Sequence, residues 1–124
     1  MTTNERLPEV GQEELYNLLK TTKIQLFDVR TPEEITEQGK IAEAVTLPLL
    51  QVKGAFEGTE EKFKETYGVD RPNPEDKNFI FTCRSGRRSF YAMAVVHELG
   101  WKWAKNHEGG WLVWPYKEET SQKM

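Results

Sequence analysis

"NFIFTCRSGRRSFYAMAVVHELG", residues 78–100, joins a compact apolar run to an apolar segment of helical length through a short polar loop. Residues 78–83 have the length and the Phe/Ile content of a buried strand. Residues 89–100 read as a helix apolar on nearly every side, to be buried against a sheet, with Gly100 as its C-cap. The intervening RSGRR must turn tightly, and Gly86 supplies the backbone freedom. In such a turn successive N–H groups can form an anion nest, and the helix starting near Ser89 adds its positive end. Arg84, Arg87 and Arg88 add full charges. All of these favour a thiolate at Cys83, the only cysteine of the chain. A thiolate so held is both a nucleophile and part of an anion site. The plainer reading is a buried structural cysteine, since free cysteine is among the most buried residue types. Apolar burial does not account for a glycine and three arginines directly after it.

Outward from this segment, strands alternate with helices. GQEELYNLLK (11–20) reads as an amphipathic helix with Leu15, Leu18 and Leu19 on one side, and IQLFDVR (24–30) as a strand ending in charge. Thr31, Pro32 and Glu34 make a helix start with cap, first-turn proline and capping-box acid, and Gly39 ends that helix. AVTLPLL (44–50) reads as a short strand stopped by Pro48. In the polar region 51–78 one charged helix is expected, at 59–68. WKWAKN (101–106) reads as a short strand and GGWLVWPY (109–116) as the start of a last short helix. The alternation predicts an α/β fold, a parallel sheet with helices on both faces. Ligands then bind beyond the carboxyl ends of the strands, at Asp28 and Arg30 on one strand and at Cys83 on another.

The chain has 124 residues, enough for one domain and its core but not for two. The expectation is a single domain over 1–124 with its core at about 8–116 and short flexible termini. Twenty acidic residues against 17 basic give a formal charge of −3, which argues against a nucleic-acid partner. No apolar run approaches the ~20 residues of a membrane span. MTTNERLPEV has neither the apolar stretch of a secretory signal nor the arginine content of a mitochondrial presequence. With one cysteine and no internal disulfide, the expected setting is the cytoplasm, with the nucleus not excluded.

DVRTPEEITEQGKI (28–41), AVTLPL (44–49), CRSGRRS (83–89) and NHEGGWLVW (106–114) resemble, in order and spacing, the motifs of single-domain rhodaneses, the thiosulfate sulfurtransferases. The resemblance runs from about residue 8 to residue 116. It is greatest to the small eukaryotic thiosulfate:glutathione-type enzymes. It implies a three-layer rhodanese-like fold with a five-stranded parallel sheet. It implies Cys83 as the catalytic cysteine at the head of a six-residue loop, with the backbone amides of Arg84, Ser85, Gly86, Arg87, Arg88 and Ser89 holding the transferred sulfur and the departing anion. Asp28, Arg30 and Glu34 map to the residues that brace this loop. GKI (39–41), AEA (42–44) and His107 depart from the family pattern.

The expected chemistry moves the sulfane sulfur of thiosulfate, or of a similar donor, through a Cys83 persulfide to glutathione, thioredoxin or cyanide. It calls for no metal and no organic cofactor, and a monomer suffices. Two alternatives stay open. Phosphatases and arsenate reductases of the same architecture carry Cys-x5-Arg, but the arginine position here is Ser89, and Thr82 precedes the cysteine. A non-catalytic persulfide carrier or sensor would keep the same thiol. Among the four tryptophans, Trp111 is the candidate wall of the active-site mouth, because Gly109–Gly110 should bring it beside the loop. His97, on a buried helix, reads as a structural histidine. His107 reads as a residue that could sit near the mouth but not as a catalytic one, since an ionised thiol needs no general base.

Overall fold

The computed structural model describes residues 8–117 and 121–122. Most of the termini expected to be flexible lies outside these residues. Five strands form one parallel sheet: β1 (Glu9–Val10), β2 (Gln25–Asp28), β4 (Val45–Thr46), β5 (Phe79–Thr82) and β6 (Lys105–His107), in the order β1-β6-β5-β2-β4. The short strands β3 (Lys40–Ile41) and β7 (Ser121–Gln122) pair antiparallel beside it.

The central strands β5 and β2 alternate between two cores, as a parallel sheet covered on both faces requires. Phe27, Val29, Phe79, Phe81 and Cys83 face one cluster. It is completed by Val52 and Phe56 of α3 (Leu49–Glu57), Phe63 of α4 (Glu60–Tyr67) and Ala92, Met93 and Val96 of α5 (Arg87–Glu98). Leu26 and Ile80 face the other, with Leu15 of α1 (Gln12–Thr21), Trp111 and Trp114. Phe56 is the hub of the first cluster, with its ring 5.1 to 6.2 Å from those of Phe63, Phe79, Phe81 and Trp101.

Helix α2 (Pro32–Gln38) forms as its sequence predicts. The Thr31 side chain accepts from the Glu34 N–H, the Glu34 carboxylate accepts from the Thr31 N–H, and Gly39 closes the helix at φ 82°. The two-residue strands β1, β3 and β7 were not expected, and four further elements differ from expectation. Residues 49–57 form α3, where the sequence reads as the end of a strand and polar chain. Its start carries no side-chain cap, and only Val52 and Phe56 are buried, so the apolar face is thin. Helix α5 begins at Arg87, two residues early, and Phe90 and Tyr91 are exposed, so it is not apolar on every side. Strand β6 starts only at Lys105, because residues 102–103 form a turn, and the Trp101 indole before it donates to the Pro72 carbonyl at 2.7 Å. The helix expected from 109–116 is a single 3-10 turn, Trp111–Val113. No helix among the described residues is long and apolar enough to cross a membrane.

Phe56→Ala should lower the free energy of urea unfolding by about 3–5 kcal/mol. In the same helix Leu50, 97% exposed, should tolerate Ala within about 0.5 kcal/mol.

Candidate active site

Strand β5 delivers Cys83 to the carboxyl edge of the sheet, and α5 starts four residues later. The residue at the cap position of α5 is Gly86, which has no side chain to satisfy the first-turn N–H groups. The sulfur of Cys83 takes that place. Sγ accepts from the N–H of Gly86 at 3.1 Å, the N–H of Ser89 at 3.4 Å and the hydroxyl of Ser89 at 3.3 Å. The Cys83 residue is 1% exposed. Three donors and the positive end of α5 therefore converge on one atom, an arrangement that stabilises negative charge there.

Gly86 reaches this geometry at φ 93°, and a Cβ on it would meet the Gly109 nitrogen at 2.8 Å. That approach belongs to a backbone clip. Trp111 N–H donates to the Cys83 carbonyl and Leu112 N–H to the Arg84 carbonyl, each at 2.8 Å. Gly110, at φ 64°, passes so close that a Cβ would collide with the Cys83 oxygen and lie 2.8 Å from the Arg84 carbonyl carbon.

The three arginines have separate fates. Arg84 and Arg87 are exposed and make no ion pair among the described residues. Arg88 turns to Glu34, with Nη1 and Nη2 each 2.8 Å from a carboxylate oxygen. Ser85 is exposed. The hydrogen bonds to the sulfur thus come from N–H and hydroxyl groups and not from guanidinium groups. Glu34 caps α2 and grips the first turn of α5 at the same time.

Asp28 and Arg30 form a buried pair at the end of β2. Arg30 is 0% exposed, its Nη2 lies 2.7 Å from Asp28, and it also donates to the Gly39 carbonyl and to Gln38. Its guanidinium carbon lies 5.7 Å from the centre of the Trp111 ring. Trp111 therefore reaches the loop through its backbone, while its ring, 7% exposed, is packed in the second core. The side chains exposed at that point are Leu112 and Val113.

His107 is fully buried. Its Nε2 donates to the side-chain Oε1 of Gln12 at 2.7 Å and its Nδ1 accepts from the Thr82 hydroxyl at 2.8 Å. The Gln12 side-chain nitrogen is committed to the Glu108 carbonyl, which fixes this sense of donation. His97 bonds the Ala104 carbonyl. His97 is satisfied structurally, as expected, whereas His107, read as a residue that could sit near the mouth, is buried and bonded on both ring nitrogens. Sequence reasoning placed the Gly109–Gly110 turn beside the loop but missed the close approach of Gly110 to the Cys83 and Arg84 carbonyls and the bond of Thr82 to His107, which depend on segments that meet only after folding. A cleft of about 680 Å³ lies at the opposite end of the strands, near Gln25 and Asn78. It is open and of mixed charge, and Cys83 is not part of it.

Residues 11–116 match the family described as the Rhodanese-like domain. A mouse protein, thiosulfate sulfurtransferase/rhodanese-like domain-containing protein 3, is 38% identical over 93% of this chain and 73% of its own length. The human thiosulfate:glutathione sulfurtransferase is 32% identical over 90% of this chain and 96% of its own. A solved human single-domain sulfurtransferase superposes with a TM-score of 0.83 at 32% identity, covering 90% of this chain and 98% of the other.

Two acid transitions should be separable by urea unfolding between about pH 7 and about pH 2. Glu34 is lowered from 4.5 to about 2, chiefly by its hydrogen bonds from Arg88. Its contribution is complete above pH 4.5 and lost as the pH falls through about 2. His107 is lowered from 6.5 to about 4 by burial, so its contribution is complete above pH 6.5 and lost as the pH falls through about 4. His107→Gln should flatten the upper part of the acid loss and Glu34→Gln the lower part; identical profiles in the two variants would contradict these assignments.

Proposed function

The chain belongs to the rhodanese-like domain family of sulfurtransferases, and on that basis we propose that Cys83 carries sulfur from thiosulfate to a thiol acceptor. The observation that carries the reading is the convergence of the Gly86 N–H, the Ser89 N–H and the Ser89 hydroxyl on one sulfur at the end of β5.

The Cys83 thiolate attacks the sulfane sulfur of thiosulfate. The Sγ–S bond forms, the bond between sulfane sulfur and sulfonate sulfur breaks, and its electron pair leaves with sulfite. The terminal sulfur of the persulfide inherits the negative charge and the loop's donors. Arg84 and Arg87, exposed beside the loop, raise the local concentration of the anionic donor. The preorganised N–H groups of the loop, Arg84 to Ser89, stabilise charge on the departing sulfite. An acceptor thiolate then attacks the outer sulfur, takes it as a persulfide and returns Cys83 as thiolate. Cyanide would leave as thiocyanate. No second cysteine exists in the chain to close an internal disulfide, so the bound sulfur waits for an external acceptor. Glutathione, thioredoxin and cyanide fit this role, and one relative is named for glutathione. A reducing compartment such as the cytosol or nucleus suits a persulfide handed to thiols.

Asp28 and Arg30 brace the carboxyl edge of β2 beside the loop, and Glu34 braces it through Arg88. The phosphatase alternative loses ground, because Arg88, the arginine nearest the phosphatase position, is engaged bidentately by Glu34.

Treatment with thiosulfate should add one sulfur atom to the intact mass, and glutathione should remove it. Cys83→Ser should gain none and lose turnover with every acceptor. Equal gain in both proteins, or efficient hydrolysis of an aryl phosphate, would overturn the proposal.

A further inference from the structure

We propose that Asn106 is a positioning residue for the Cys83 loop, holding the Gly86 carbonyl onto β6 and so aiming the loop's N–H groups. Asn106 is 1% exposed, in the middle of β6. It pairs with Phe81 of β5, and so its side chain shares the sheet face that α5 covers. Its Nδ2 donates to the Gly86 carbonyl at 3.2 Å and to a Glu9 carboxylate oxygen at 3.1 Å. Two acceptors on one side of the amide settle which way it points.

The consequence lies on its other side. Oδ1 of Asn106 is buried and has no hydrogen-bond partner among the described residues. An orphaned buried acceptor is costly, and a valine at this strand position would avoid it. What the asparagine supplies in exchange is its pair of donors.

The Gly86 carbonyl also accepts the Phe90 N–H at 3.2 Å. Two donors on one oxygen hold the plane of the Gly86–Arg87 peptide. Across a trans peptide the N–H points opposite the C=O, so the Arg87 N–H is aimed away from β6, into the open end of the loop. On the other side of the same Cα, the Gly86 N–H stays on Sγ. Released from Asn106, this peptide is held by the Phe90 N–H alone, and Gly86, with no side chain, resists rotation least. The Asn106 side chain makes no bond to the sulfur and acts on the loop through Gly86.

This inference rests on the reading of Cys83 as the reacting thiol, so the test reads that thiol without any sulfur donor. Asn106→Asp keeps the shape and removes both donors. Asn106→Ala removes them without adding charge. Glu9→Gln leaves the bond to Gly86 in place. The measurements are the rate of Cys83 alkylation by iodoacetamide at neutral pH, the ultraviolet absorbance of the thiolate against Cys83→Ser, and the melting temperature. Both Asn106 variants should alkylate about tenfold more slowly with weaker thiolate absorbance, while Glu9→Gln stays within about twofold of the parent. In the parent, the Asn106 side-chain amide resonances should move when Cys83 is alkylated, a measurement that needs no variant to fold. Parental alkylation rates in folded Asn106 variants, even with a lowered melting temperature, or amide resonances indifferent to Cys83, would overturn the proposal. A parent thiol no more reactive than free glutathione would instead strike at the reading of Cys83 itself.

Discussion

A helix must satisfy the N–H groups of its first turn, and α5 does so with a sulfur atom. Gly86 offers no side chain at the cap position, and Cys83, three residues earlier, accepts in its place. A capping bond of ordinary kind contributes about 1 kcal/mol to helix stability. Here the same donors also face whatever negative charge the sulfur carries or receives. Folding and the proposed chemistry thus draw on one set of N–H groups, which need no rearrangement when charge appears.

The loop can hold this shape because it is gripped from several sides. The buried β5 strand fixes where the cysteine emerges. Glu34 fastens the first turn of α5 to the first turn of α2. The Gly109–Gly110 turn brings two backbone donors onto the carbonyls of Cys83 and Arg84, an approach that any side chain at Gly110 would block. Beneath them the Asp28–Arg30 pair is out of water. Burying two charges is costly unless geometry and further hydrogen bonds compensate, and Arg30 spends its donors on Asp28, Gly39 and Gln38.

What could be read from the chain follows the range of each interaction. The capping box of α2 was legible because Thr31 and Glu34 are three residues apart. The grip of Glu34 on Arg88 was not derivable from spacing, because 54 residues separate them; only the family resemblance placed Glu34 near the loop. The strand, turn and helix at 78–100 were legible because their apolar runs are long. Helix α3 was not, since two buried side chains and an uncapped start leave little periodic signal. Strand β1 is two residues long and exists through its pairing with β6, so nothing local marks it. The arginines after Cys83 read as a single positive cluster, yet packing turned one aside to a carboxylate and left two in solvent.

The amino-acid order alone determined an alternating α/β chain with a lone cysteine at a strand-to-helix turn, because hydrophobic period, caps and glycine placement act over a few residues. Only the tertiary structure decided which donors face the sulfur, that Arg88 belongs to Glu34, and that Trp111 serves through its backbone while its ring is buried. Those outcomes depend on parallel pairing of strands distant in the chain and on two backbones meeting where no side chain intervenes. Such contacts leave no trace in local sequence, since their partners are chosen by the sheet and not by their neighbours.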